Sequence, residues 1–180
     1  LTYMADRDPL LLIYTLGIAI IALLGIIDDV FGAGSPKGIK GHISWFITSR
    51  RVTTGLVKAF GGMVVSVLVA KELGGGLANM VLNSILIAFS INFINLLDVR
   101  PGRACKFFLI VITIAIAVFF FKGKFSVLKT CLPALGATLV FIKYDLEERV
   151  MLGDIGSNVL GFCLGLILAL TDNGVAKVLL

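Results

Sequence analysis

Six apolar runs, at residues 9–27, 55–70, 77–97, 106–121, 127–142 and 156–170, constrain this chain more than any other feature. Charged residues cluster in the short stretches between them. In lipid, a helix satisfies its own backbone N–H and C=O groups, and an isolated strand does not. The pattern therefore predicts an all-α fold, a polytopic transmembrane helical bundle of about six helices. Residues 1–180 then form a single integral membrane domain. Composition agrees. The chain is 58% hydrophobic and 15% charged, against about 45–50% and about 25% for soluble domains. Its mean hydropathy is +1.05. Several runs fall short of the roughly 20 residues that span a bilayer. Flanking polar residues must extend those helices, or the bilayer thins locally. Glycines and alanines in "GLVKAFGG" and "GFCLGLILAL" suit close helix packing.

A net charge of +5 in such a chain fits anionic headgroups or anionic substrates and gives no pointer to nucleic acid. Cys105, Cys131 and Cys163 show no ligand spacing and read as small packing residues. No signal-peptide pattern precedes the first run. The chain opens on Leu1, which leads us to expect a piece of a longer protein.

Six alternating helices sort the connections into two sets. Residues 28–54, 98–105 and 143–155 share one side. Its loops and helix ends hold Lys37, Lys40, Arg50, Arg51, Arg100, Arg103, Lys106, Lys143 and Arg149. The other side holds Arg7, Lys71, Lys122, Lys124, Lys129 and Lys177. The positive-inside rule places the first set in the cytoplasm. The three most motif-like stretches, "IIDDVFG" (26–32), "NFINLLDVRPGR" (92–103) and "MLGDIGSNVLGF" (151–162), all fall there. A bundle would gather them at one face, as a catalytic site requires.

Asp28 and Asp29 end the first run. Adjacent carboxylates repel, so one has a raised pKa unless a cation neutralises the pair. One could bind Mg²⁺ through oxygen while the other takes a proton; a solvated helix cap is the plainer alternative. Asn92, Asn95 and, less squarely, Asp98 share a helical face. Such groups are costly in lipid unless they line a polar cleft or bond between helices. Arg100 and Arg103 offer guanidinium groups to phosphate, or serve as ordinary interfacial anchors. Gly153 and Gly156 bracket Asp154, and Ser157-Asn158 open an apolar helix. Its N-terminus suits phosphate, with Asp154 holding a metal that the phosphate shares; an N-cap by Ser157 or Asp154 is the plainer alternative. Lys58, near a helix start, either snorkels to the interface or contacts a pyrophosphate. "GIKGHISWFITSRR" reads as a short interfacial helix with His42 on the surface, not a metal ligand.

"IIDDVFG", the Asn-x-x-Asn-x-x-Asp of "NFINLLD" and "MLGDIGSNVLGF", in that order, resemble the polyprenyl-phosphate N-acetylhexosamine-1-phosphate transferase superfamily (glycosyltransferase family 4). Its members include phospho-N-acetylmuramoyl-pentapeptide transferase and undecaprenyl-phosphate GlcNAc-1-phosphate transferases. "GLVKAFGG" sits where the family carries a helix lysine. The resemblance implies Mg²⁺-dependent transfer of a sugar-1-phosphate from a UDP-N-acetylhexosamine to a polyprenyl phosphate, releasing UMP. The enzyme would sit in the bacterial cytoplasmic membrane and serve cell-envelope glycan synthesis, peptidoglycan included, with its active site facing the cytoplasm. By this likeness Asp154 is a Mg²⁺ ligand, and Asp28 or Asp29 is the acceptor's base or a metal partner. Asp98 joins the catalytic set. Asn92, Asn95, Lys58, Arg100 and Arg103, with Gly153, Gly156 and Ser157, bind substrate. The polyprenyl chain lies in an apolar groove, and a homodimer is allowed.

The family's third motif commonly continues Asp-Gly-x-Asp-Gly; here Pro101 stands at the second aspartate. The family's late histidine-rich loop is absent, which again leads us to expect a piece. Two other readings stand beside the enzyme: an inactive scaffold of the same fold, and a transporter with an intramembrane ion path. The transporter reading predicts polar residues near the bilayer midplane rather than at helix ends.

Overall fold

The computed structural model describes residues 9–32 and 53–171. The expected interfacial helix and His42 lie outside the described residues. So do Arg7, Lys37, Lys40, Arg50, Arg51 and Lys177 of the charge count. Every regular element among the described residues is a helix. They run α1 (Pro9–Phe31), α2 (Thr54–Glu72), α3 (Gly76–Leu97), α4 (Arg103–Phe121), α5 (Phe125–Leu146) and α6 (Gly153–Ala169).

The helices are longer than most of the apolar runs that seed them. Polar ends carry the extension. The second run grows to Glu72, with Thr53 as N-cap accepting from the Leu56 N–H. The fourth run starts at Arg103 and the fifth reaches Leu146. The first five helices hold 19–23 residues, roughly 28–35 Å at the α-helical rise. That matches a hydrocarbon core of about 30 Å. These five are long and apolar enough to cross a membrane.

The extension also moves two motifs. Asp28 and Asp29 lie inside the last turn of α1, not beyond it. Asp154 lies in the first turn of α6, which begins at Gly153, rather than before the helix. A helix end that finds polar partners has no reason to stop at the apolar boundary.

Helix α6 is shorter, at 17 residues, and sits at the centre. Phe162, Leu164, Leu166 and Ile167 are all buried. It packs most heavily on α3 and then on α1, with α2 laid across α1 and α3, and α4 paired with α5. Gly161 and Gly165 face α3, where an added Cβ would meet the Ile91 and Ile87 Cα atoms at 2.5 and 2.6 Å. Gly25 does the same for α1 against Ile155, at 2.6 Å. These small residues let three backbones approach. Helix association in lipid relies on such packing, because the surrounding tails are as apolar as the side chains.

Candidate active site

The ends of α1, α2, α3 and α6, with the α3–α4 turn, converge on one polar centre. Lys58, one turn into α2, lies at its middle. Its Nζ is 2.6 Å from an Asp28 oxygen and 2.9 Å from an Asp154 oxygen. The second Asp154 oxygen accepts from Asn95 Nδ2 at 2.5 Å. Asn95 Nδ2 also donates to Asn158 Oδ1 at 3.0 Å. One lysine thus bridges α1 to α6 through α2, and one asparagine ties α3 to the same carboxylate. Asn95 and Asp154, 59 positions apart in the sequence, are thus in direct contact. These two ion pairs hold Lys58 within the cluster rather than free to snorkel to the interface.

Asp29 faces differently. Its two oxygens accept from the backbone N–H groups of Asp154 and Ile155, at 3.1 and 3.2 Å. It caps α6 from a neighbouring helix, satisfying two of the N–H groups that a helix start leaves over. Ser157 does not cap; its hydroxyl donates back to the Gly153 carbonyl at 2.6 Å. Gly153 has φ +61, and the Asp29 carboxylate lies 3.1 Å from where a Cβ would stand. Glycine therefore suits this entry to the helix on two counts.

Asp98 is the C-cap of α3. Burial, and then the nearby Asp145 carboxylate, push its carboxyl up to about 6; Asp154 and Asp29 add to this, and a hydrogen bond from Gly153 opposes it. Asn92 lies a turn earlier and is exposed. Three residues advance a helix by about 300°, leaving Asn92 about 60° round from Asn95. Arg100 and Arg103 are exposed at the rim, and Gly156 lies in the first turn of α6 without a polar side chain to offer.

Asn158 and Asp145 escaped the sequence reading. Asn158 stands four residues after Asp154, and that spacing places both on one helix face. Asp145 sits in a run of charges that looked like a loop. In the structure it is 1% exposed, in the last turn of α5, and accepts from the Gly102 N–H at 3.0 Å.

The acids outnumber the cation at this centre, which calls for further positive charge. Mg²⁺ is commonly held by one or two carboxylates, with waters and substrate phosphates completing the shell. Asp28 and Asp154, converging on an ammonium, supply such an oxygen pair, so the residues present fit Mg²⁺. No group of three metal-ligating acids is preassembled among the described residues. Between α3, α4 and α6 lies a mostly apolar cavity of about 540 Å³, lined by Leu82, Leu86, Phe89 and Phe93 of α3, Phe107 and Val111 of α4, and Leu164 and Leu168 of α6.

The profile of glycosyl transferase family 4 matches residues 11–172, nearly the whole chain and all three motif stretches. The chain belongs to glycosyl transferase family 4. None of the curated proteins matches it. Membership in the family, with five helices able to cross a membrane, makes this a multi-pass membrane protein of the polyprenyl-phosphate sugar-phosphate transferase kind.

Proposed function

We propose that the protein transfers an N-acetylhexosamine-1-phosphate from its UDP conjugate to a polyprenyl phosphate, with Mg²⁺, at the cytoplasmic face of a bacterial membrane. The product enters cell-envelope glycan synthesis. The observation that carries this reading is Lys58 held between Asp28 and Asp154, from three different helices, at one end of the bundle. A polyprenyl phosphate oxygen forms a bond to the β-phosphorus of the donor. The bond from that phosphorus to the bridging oxygen breaks, and UMP leaves with it.

Two anionic phosphates must meet, so charge stabilisation is the main task. Lys58 supplies a fixed positive charge where those phosphates meet. Asp28 and Asp154 would hold Mg²⁺, which supplies Lewis-acid polarisation of the phosphate oxygens when bound. Asn95, itself held by Asn158, keeps Asp154 oriented. Asp29 fixes the start of α6. Asp98 holds or accepts a proton close to neutral pH. Arg100 and Arg103 stand at the rim, where guanidinium groups can draw in phosphate. The apolar cavity between α3, α4 and α6 has a lining suited to a polyprenyl chain.

Mass spectrometry of the lipid product tests this. Full-length protein, undecaprenyl phosphate and either UDP-GlcNAc or UDP-MurNAc-pentapeptide should give a polyprenyl-diphospho-sugar only when Mg²⁺ is present. Binding of polyprenyl phosphate without product from either donor would favour the inactive scaffold, to which Pro101 in the third motif lends support.

A further inference from the structure

Asp145 is a buried carboxylate outside the Lys58 centre. Burial of such a group is tolerated only with good partners. Its partner is the turn that carries Asp98 away from α3. The Gly102 N–H donates to Asp145 Oδ2 at 3.0 Å, and the Cys105 thiol lies against the same carboxylate. Gly102 is the N-cap of α4, with φ +72 and no capping side chain of its own. The start of α4 therefore takes its acceptor from α5, where the helix dipole favours a negative group. Leu146 closes the same side, its side chain standing where a Cβ on Gly102 would go.

The turn is thus held at both ends. The Asp98 N–H bonds to the Ile94 and Asn95 carbonyls of α3, and Gly102 is held by Asp145. Pro101 fixes one further backbone dihedral between them. We propose that Asp145 is a positioning residue for the transferase. By anchoring Gly102 it fixes the 98–102 turn and so presents Asp98 to the Asp28–Lys58–Asp154 centre. This rests on the transferase reading given above.

The test compares Asp145→Ala with Asp145→Asn in the full-length protein. The asparagine keeps an oxygen that can accept from Gly102; the alanine does not. In Asp145→Ala, amide exchange across residues 99–105 should rise by about tenfold or more while α6 stays protected, as expected for a local opening. Turnover should fall by about 10–100-fold, the scale of a misplaced reacting group, with the KM for the nucleotide sugar within about twofold, since the loss falls on the chemical step. Asp145→Asn should restore both protection and turnover.

Unchanged exchange in Asp145→Ala, beside an active wild type, would overturn the proposal, as would a folded Asp145→Asn as impaired as the alanine variant. Should Asp145→Ala not fold, Asp145→Asn decides alone: a folded protein with an unprotected turn contradicts the anchoring role. No product from the wild type with any donor would sink the transferase reading and the catalytic part of this proposal. The exchange measurement would still show whether Asp145 anchors the turn.

Discussion

At the residue scale, Lys58 and Asp98 are the side chains on which the proposed chemistry is most directly tested. Lys58 neutralises two acids from different helices. Replacing it with methionine keeps the stem and removes the charge, leaving Asp28 and Asp154 to repel. Turnover should fall about 10²–10³-fold, the usual cost of a lost charge-stabilising donor, as measured by initial rates at saturating donor. Asp98 carries a pH signature. Its folded pKa of about 6 lies above the unfolded value of about 3.9. The folded state is then favoured most below that unfolded value, and the contribution is lost as pH rises through the folded one. Melting temperatures of metal-free protein in detergent should therefore fall more between acidic and neutral pH for wild type than for Asp98→Asn. Parallel curves would show that Asp98 is not held in this way.

Close helix packing matters most at the element scale. Gly161 and Gly165 bring α6 onto α3, the two helices that share Asn95, Asp154 and Asn158. Gly161→Val would force them apart, an overpacking cost of about 1–3 kcal/mol or more. It should lower the melting temperature and loosen the Asn95–Asp154 bond, reducing turnover as well. Gly136→Ala in α5, where nothing lies within 4 Å of the new Cβ, is the control and should leave both near wild type. Among the described residues, the number and order of helices were legible in the apolar runs, because lipid demands long self-satisfied segments. Their ends were not. Asp29 capping α6 and Asp145 anchoring Gly102 are contacts between helices, and a linear reading sees each of these acids only beside its chain neighbours. Asn95 was legible as a polar residue too costly to leave in lipid, and Asp154 as an acid between glycines at a helix start; that one would bond the other was not.

Sidedness belongs to the whole molecule. Motif residues from α1, α2, α3 and α6 meet at one end of the bundle, as alternating helices require. Phe60, Leu68, Ile85, Phe89, Ile110, Ile114 and Val140 stay exposed along its sides, a surface suited to lipid rather than water. The ion-path reading draws on buried polar residues at mid-depth, and Ser66, Asn83, Ser84 and Ser90 are buried within α2 and α3; these are uncharged, whereas the charged centre sits at helix ends. The three cysteines of the chain are all buried, so an introduced thiol can report the side directly. Arg100→Cys should react with a membrane-impermeant maleimide only from the cytoplasmic side. Labelling of intact cells from outside would invert the proposed orientation.

Carboxylates from α1 and α6, bridged by Lys58, are proposed to form one metal-dependent transfer centre. The most direct measurement is UMP release by full-length protein as Mg²⁺ is titrated, for wild type and Asp154→Asn, with undecaprenyl phosphate and the donor it uses. A saturable Mg²⁺ response is expected in wild type, abolished by chelation and lost in a folded Asp154→Asn. Equal UMP release from both proteins, or release that persists without divalent metal, would contradict it.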